Sequence, residues 1–140
     1  MGEEREILKR ATIALLDDSA EEHELGHQGS KAKRYVLKAT DGSDVEVMFE
    51  RNASSPANVW CLRSAAGPKL MADINHKESP AITLWTKRGK NGDALYGRHS
   101  ALEKMAQLGK ADLVCLAPET IEQVRQIIDR LRSLTLADLR

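Results

Sequence analysis

Residues 35–49 have the sequence YVLKATDGSDVEVMF, and this stretch decides the class of fold. Apolar side chains recur at every second position on both sides of Asp41-Gly42, a common turn dipeptide in β-hairpins. Since successive side chains of a strand point to opposite faces, the pattern predicts an antiparallel hairpin with one buried face. The residues expected on that face are Tyr35, Leu37, Ala39, Val45, Val47 and Phe49.

Further helices and strands are predicted on both sides of this hairpin. Apolar residues recur at spacings of three and four in residues 3–22 and 120–134, as they do along one face of a helix. Two residue pairs have the spacing of a capping box, and each predicts a helix start: Thr120 with Gln123, and Ser100 with Glu103. Short apolar runs predict additional strands at 58–63, 81–86 and 111–117.

The order of these elements predicts an α+β fold. We expect a mainly antiparallel sheet of about four to six strands, with an N-terminal helix, a short internal helix and a C-terminal helix packed on one face. The length of 140 residues fits a single domain, 1–140, since most domains have roughly 100–150 residues.

The composition bounds the class of protein. Charged residues make up 30% of the chain, and no apolar run approaches the roughly 18 residues of a membrane span. The polar start, Met1 to Arg5, is unlike a signal peptide, so we expect a cytoplasmic protein without a membrane partner. Cys61 and Cys115 lie in apolar, strand-like runs, and this context predicts buried free thiols.

Charge is unevenly distributed along a chain whose formal net charge is zero. Residues 1–24 carry eight acidic and three basic side chains, a net charge of −5. Positive charge is concentrated in residues 31–38 and 87–98. This division either steers an anionic partner to one face or lets the acidic helix dock on basic parts of the same molecule.

Residues 23–27 have the sequence HELGH, which resembles the H-E-x-x-H motif of the zincin metallopeptidases over these five residues. The resemblance implies that His23 and His27 bind zinc and that Glu24 acts as the general base. The sequence does not define a third ligand, for which the candidates are Glu46, Glu50, His76 and His99. The alternative interpretation is an exposed, charged helix end, and we assign no metal and no cofactor.

A second candidate site is the glycine-containing loop 87–99, which leads into the helix predicted at Ser100. Backbone amides at a helix start bind anions, and glycines at 89, 92 and 97 allow the backbone to approach a ligand closely. The sequence therefore predicts a pocket for a phosphate or carboxylate, with Arg98 and His99 at its mouth. The predicted anion- or nucleic-acid-binding residues are Lys87, Arg88, Lys90, Arg98, His99, Ser100 and Arg51.

Aromatic residues lie beside basic ones at several points, notably Trp60 with Arg63 and Trp85 with Lys87. Such pairs can stack on unpaired bases and hold phosphates. The tryptophans can equally be the large core residues of a chain in which aromatic residues make up only 4%.

Three functional hypotheses follow. The first is a small binding domain whose partner is a phosphate-bearing ligand, nucleic acid foremost. The second is a zinc hydrolase that uses His23, Glu24 and His27. The third is a non-enzymatic subunit that binds a protein partner or a second copy of itself. Whether the chain is an enzyme stays open at this point.

Overall fold

The computed structural model describes residues 2–29, 31–52 and 55–139. Its centre is a six-stranded, antiparallel sheet. The strands are β1 (Glu21–Glu22), β2 (Ala32–Lys38), β3 (Asp44–Glu50), β4 (Val59–Leu62), β5 (His76–Ser79) and β8 (Leu113–Leu116). Their order across the sheet is β1-β2-β3-β4-β8-β5. A separate two-stranded hairpin is formed by β6 (Lys87–Arg88) and β7 (Ala94–Leu95).

Three helices complete the α+β fold, which confirms the predicted class. They are α1 (Gly2–Ser19), α2 (Arg63–Asp73) and α3 (Ile121–Arg132). Helix α1 packs against α3, while α2 contacts α3, β4 and β8. No helix within the described ranges 2–29, 31–52 and 55–139 is long and apolar enough to cross a membrane.

The predicted hairpin is confirmed as β2 and β3. The two strands pair in a continuous antiparallel register from Ala32 opposite Glu50 to Lys38 opposite Asp44. Gly42 has a φ of +87°, a backbone conformation that glycine adopts without steric conflict, and it closes the turn. All six residues expected on the inner face are buried: Tyr35, Leu37, Ala39, Val45, Val47 and Phe49.

The C-terminal helix also begins where the sequence predicts. The Thr120 side chain accepts a hydrogen bond from the backbone N–H of Gln123 at 3.2 Å. The Gln123 side chain accepts one in return from the backbone N–H of Glu119 at 2.7 Å. These contacts satisfy amides at the helix start, which have no partner within the helix. The apolar stripe Val124, Ile127, Ile128 and Leu131 is buried.

The second face of the sheet is covered by residues 96–111, which form turns. Leu102, Met105 and Leu108 of this segment are buried. They cover β3 from the side opposite the helices, so Glu46 and Met48 are buried as well as the residues of the first face. The residues of β3 that alternate with the first buried face thus lie in a second interior layer, which is partly polar.

The structure differs from the sequence-based predictions of local structure at three places. The strand predicted at 58–63 ends at Leu62, because residues 63–73 form α2; this helix bends at Gly67, whose φ of +73° and ψ of 168° are not helical. Residues 81–86 are predicted to be a strand but begin with a 3₁₀ turn, because β5 ends at Ser79 and Asp112 Oδ1 accepts a hydrogen bond from the backbone N–H of Ala81 at 2.8 Å.

The third difference is at Ser100, where the sequence predicts a short helix. The structure has a 3₁₀ turn over Ser100–Leu102, and its cap is the neighbouring histidine. His99 Nδ1 accepts a hydrogen bond from the backbone N–H of Ala101 at 3.1 Å. The Ser100 hydroxyl accepts a hydrogen bond from Gln28 Nε2 at 3.1 Å, so it contacts a distant loop. A tertiary contact has replaced the predicted capping box.

Candidate functional site

The seven predicted contact residues are distributed over three places in the structure. Lys87, Arg88 and Lys90 belong to the β6–β7 hairpin. Arg98 turns inward beneath the 96–111 segment, toward β5. His99, Ser100 and Arg51 lie near the loop that contains Gln28 and Gly29. The single pocket that the sequence predicts around Arg98 and His99 is therefore divided.

The β6–β7 hairpin is closed by its own backbone. Lys87 pairs with Leu95 and Arg88 with Ala94. The backbone N–H of Gly89 donates to the carbonyl of Asp93 at 2.8 Å, and Gly92 in the turn has a φ of +82°. The cations at 87, 88 and 90 are all exposed. None of these three forms an ion pair with any acidic residue that the structure describes.

Arg98 occupies a structural position. Its Nε donates to the hydroxyl of Ser79 at 2.7 Å, and its two terminal nitrogens donate to the carbonyls of Ser79, Leu108 and Ala111. The guanidinium thus joins β5 to the 96–111 segment and to the entrance of β8. Because its donors already have protein acceptors, this side chain holds these elements of the fold together.

His99 and Arg51 lie near the loop that contains Gln28 and Gly29. Burial lowers the pKa of His99, and Lys31 and Arg34 nearby lower it further, while Glu50 opposes the shift. The Arg51 guanidinium donates to the carbonyl of Gly29 at 3.0 Å. Arg51 thus braces the loop before β2, while His99 caps the 3₁₀ turn through the backbone N–H of Ala101.

The HELGH segment forms turns and is not helical. His23 Nδ1 accepts a hydrogen bond from the backbone N–H of Leu25 at 3.0 Å, so Nε2 carries the proton that it donates to Glu46 at 2.6 Å. His27 Nδ1 accepts one from the backbone N–H of Arg34, and its Nε2 lies 3.0 Å from Glu22. All four ring nitrogens already have partners, so the segment is not organised as a zinc site.

The buried His23–Glu46 pair is the feature that sequence analysis missed in this region. His23 is 5% exposed and Glu46 6% exposed, whereas an exposed helix end was expected. The second carboxylate oxygen of Glu46 accepts hydrogen bonds from the backbone N–H groups of Gln107 and Leu108, at 2.8 and 3.1 Å. The pair therefore fastens residues 96–111 to the sheet. No local sequence signal connects position 46 to position 107.

The two tryptophans have different roles. Trp60 is partly buried on β4, and its indole N–H donates to Glu50 at 2.8 Å. Trp85 is 44% exposed, and its ring meets Tyr96 edge-on, with 5.7 Å between centroids and 63° between planes. Trp60 thus belongs to the interior layer, while Trp85 lies at the surface beside the hairpin cations.

A cleft of about 510 Å³ lies between α2 and α3, and no residue of the hairpin lines it. Its wall includes Gly67, Leu70 and Arg130. Arg130 Nε donates to the carbonyl of Ala65 at 2.9 Å, so this arginine supports the bend of α2. Asp73, also on the wall, accepts a hydrogen bond from Gln126 at 2.8 Å.

The described side chains give little support to metal binding or to catalysis by a cysteine nucleophile. In the ranges 2–29, 31–52 and 55–139, no three His, Cys, Asp or Glu residues are grouped so as to hold a metal ion. Cys61 and Cys115 are buried free thiols, as the sequence predicts, and burial raises the pKa of each to about 12. A nucleophilic cysteine needs a lowered pKa, so these thiols serve the core.

No protein-family model, curated protein or solved structure matches the chain.

Proposed function

We propose that the protein binds nucleic acid through the β6–β7 hairpin, by its phosphate groups. The observation that supports this is the set of three exposed cations, Lys87, Arg88 and Lys90, on one short hairpin. Positive side chains of this kind attract phosphates and release the counterions condensed on nucleic acid. The proposal keeps three of the seven predicted contact residues and assigns the other four, Arg98, His99, Ser100 and Arg51, to structural roles.

The contrast with the other basic stretch, residues 31–38, strengthens the proposal. Lys33 lies 3.3 Å from Asp17 of α1, and Lys38 pairs with Asp44. Arg34 donates to the carbonyls of Leu25, Gly26 and Ala101. Most of the positive charge of residues 31–38 is thus used within the molecule, although only Lys33 pairs with the acidic helix α1. In the hairpin, only Arg88 has a contact of this kind, a hydrogen bond to the carbonyl of Trp85, and neither Lys87 nor Lys90 forms an ion pair with an acidic residue that the structure describes.

Net charge on the hairpin favours the same conclusion. Residues 87–95 contain three basic side chains and one acid, Asp93. The Debye length at physiological ionic strength is about 8 Å, so charges this close in sequence act together on a nearby phosphate. A surface of this size matches a contact with a few consecutive phosphates.

The test is the double variant Lys87→Ala/Lys90→Ala. Its affinity for a labelled oligonucleotide is measured against salt by fluorescence anisotropy. Loss of two phosphate contacts is expected to reduce the slope of log K against log salt by roughly 1.4–1.8 units. Affinity at low salt is expected to fall accordingly.

The matched control is Lys69→Ala/Lys104→Ala, which removes the same charge from exposed positions outside the hairpin. It is expected to leave the slope within experimental error of the wild type. Equal slopes for the hairpin variant and the wild type would refute the proposal. So would a wild-type protein that fails to bind any oligonucleotide at low salt.

A further inference from the structure

We infer that the nucleic acid bound at the hairpin is single-stranded and that Trp85 stacks on one of its unpaired bases. This inference rests on the proposed function and makes the ligand more specific. It is drawn from the position of the indole ring, from its support by Tyr96, and from the placement of Arg88 beside it.

The indole of Trp85 is held in place and still accessible. The Tyr96 ring packs against it edge-on, at 5.7 Å between centroids. Tyr96 is itself anchored, because its hydroxyl donates to the carbonyl of Gly109 at 2.6 Å. A ring that is fixed before the ligand arrives loses little conformational freedom on stacking. The 44% exposure of Trp85 leaves surface for a base.

Positive charge lies next to this ring. Arg88 Nη1 donates to the backbone carbonyl of Trp85 at 2.6 Å, which places the guanidinium beside the tryptophan. Lys87, two residues after Trp85, is the first residue of β6, the strand that also contains Arg88. A base stacked on the indole would have its phosphate close to these cations. Aromatic rings beside basic side chains are the usual means of binding single strands without sequence preference.

The arrangement favours a single strand over a duplex. Bases within a duplex are stacked on one another and offer only their edges, whereas stacking on a side chain requires an unpaired base. Base–aromatic stacking is sequence-tolerant, since every base has a π-face. Phosphate contacts alone would hold either form, so the exposed ring is the feature that separates them.

An anionic membrane or an apolar protein surface fits the patch less well. Insertion into either needs projecting apolar side chains, but Leu95 lies over Gly89, with its methyl groups 3.4 Å from where a Cβ there would be. Trp85 is held by Tyr96. In this part of the described chain, Ile82 is 87% exposed, whereas Trp85 and Leu95 are partly covered, at 44% and 40% exposure. One projecting isoleucine beside two partly covered side chains provides little insertion energy, while an accessible indole face next to exposed cations suits a base and its phosphate.

The experiment compares wild type with Trp85→Ala, Trp85→Phe and the exposed apolar control Ile82→Ala. Each is titrated with a single-stranded oligonucleotide, with the duplex of the same sequence, and with vesicles of phosphatidylcholine and phosphatidylserine. Circular dichroism and melting temperature establish that the variants are folded. Quenching of tryptophan fluorescence reports on stacking directly.

We expect wild type to prefer the single strand. Trp85→Ala should weaken that binding by about ten-fold or more, with an unchanged salt slope, because no phosphate contact is lost. Trp85→Phe should retain most of the affinity but lose most of the quenching, and Ile82→Ala should match wild type.

Other results would overturn the inference. If Trp85→Ala binds the single strand as tightly as wild type while Lys87→Ala/Lys90→Ala binds weakly, the proposed function stands and the stacking inference fails. The inference would also be refuted if Trp85→Ala lost the same affinity for the duplex as for the single strand. Vesicle binding without oligonucleotide binding would refute both proposals and identify an anionic membrane as the ligand.

Discussion

Glu46 makes more contacts with distant parts of the chain than its place in a polar–apolar alternation suggests. One carboxylate oxygen accepts from His23, and the other accepts from two backbone amides at 107 and 108. Its own backbone N–H donates to the Gln107 side chain at 2.9 Å. One buried side chain therefore joins the turn after β1, the sheet and the covering segment.

At the residue scale, Glu46→Gln is expected to lower the free energy of unfolding by about 1–3 kcal/mol. His23 Nδ1 accepts a hydrogen bond from the backbone N–H of Leu25, so His23 Nε2 carries a proton and is a donor. The amide nitrogen of a glutamine at position 46 is also a donor, so the two donors would face each other. If the side-chain amide adopts the flipped orientation instead, its nitrogen faces the backbone N–H groups of Gln107 and Leu108, which are also donors. Urea unfolding monitored by circular dichroism measures the change.

The control for this variant is Glu22→Gln. Glu22 also pairs with a histidine, His27, but its side chain is 62% exposed. Exposed ion pairs contribute little, so a change below about 0.5 kcal/mol is expected. Similar losses for the two variants would show that burial of the His23–Glu46 pair is unimportant to stability.

At the element scale, the bend in α2 depends on a glycine. Gly67 combines a left-handed φ of +73° with close contact to Arg130. A Cβ at this position would lie 3.2 Å from Arg130 Nη2. The bend thus requires glycine for its backbone and for its packing.

Gly67→Ala is expected to destabilise the protein by about 1–3 kcal/mol, since alanine is strained at this backbone conformation. Gly42→Ala serves as the comparison, because Gly42 has a φ of +87° but a Cβ added there would meet no heavy atom of the described residues within 4 Å. Both variants carry the backbone strain, and only the first must also move Arg130. Thermal denaturation should give the lower melting temperature for Gly67→Ala; the reverse order would contradict this account.

Elements specified by local sequence were predictable, and those specified by distant contacts were not. The β2–β3 hairpin and α3 each contain their own turn or capping residues, so 35–49 and 120–134 were assigned correctly. The turns at 81–86 and 100–103 depend on Asp112 and Gln28, which are far away in sequence. A capping-box spacing cannot reveal that Gln28 engages the Ser100 hydroxyl.

The candidate site shows the same limit. The exposed lysines of the hairpin could be recognised from charge and glycine content, since both are local properties. The structural role of Arg98 could not, because its acceptors are carbonyls at 79, 108 and 111. Nor could sequence distinguish the surface position of Trp85 from the interior position of Trp60.

At the scale of the whole molecule, stability is expected to be greatest between about pH 7 and 9. Burial lowers the pKa of His27 and of His99, and it outweighs the opposing effects of Glu22 and Glu50. The unfolded chain therefore takes up protons near the ordinary histidine pKa of 6.5, where the folded chain does not. Stability should fall as the pH decreases through this region.

Other ionisable groups determine how stability changes at more acidic and at more alkaline pH. A hydrogen bond from Tyr35 lowers the pKa of Asp17, so its contribution is present above the ordinary value of 3.8 and is lost as pH falls through the folded value. Burial raises the pKa of Cys61 and Cys115 from 9.0 to about 12, so the unfolded chain ionises first and stability falls above about pH 9.

Urea midpoints at a series of pH values test this profile. The double variant His27→Gln/His99→Gln should have a flatter profile between about pH 7 and 5 than wild type, whatever its absolute stability. A wild-type midpoint that rises toward pH 5 would contradict the assignment.

The position of β8 in the sheet has a consequence for how the chain comes to be folded during synthesis. β1 to β4 are successive neighbours, so they can assemble as each leaves the ribosome. β4 and β5 are separated by β8, which is made much later, at residues 113–116. Until then β5 has no strand beside it, and β4 presents an open edge to other nascent chains. Insertion of β8 closes that gap in one late step, so the period of exposure is set by the time needed to translate residues 63–116.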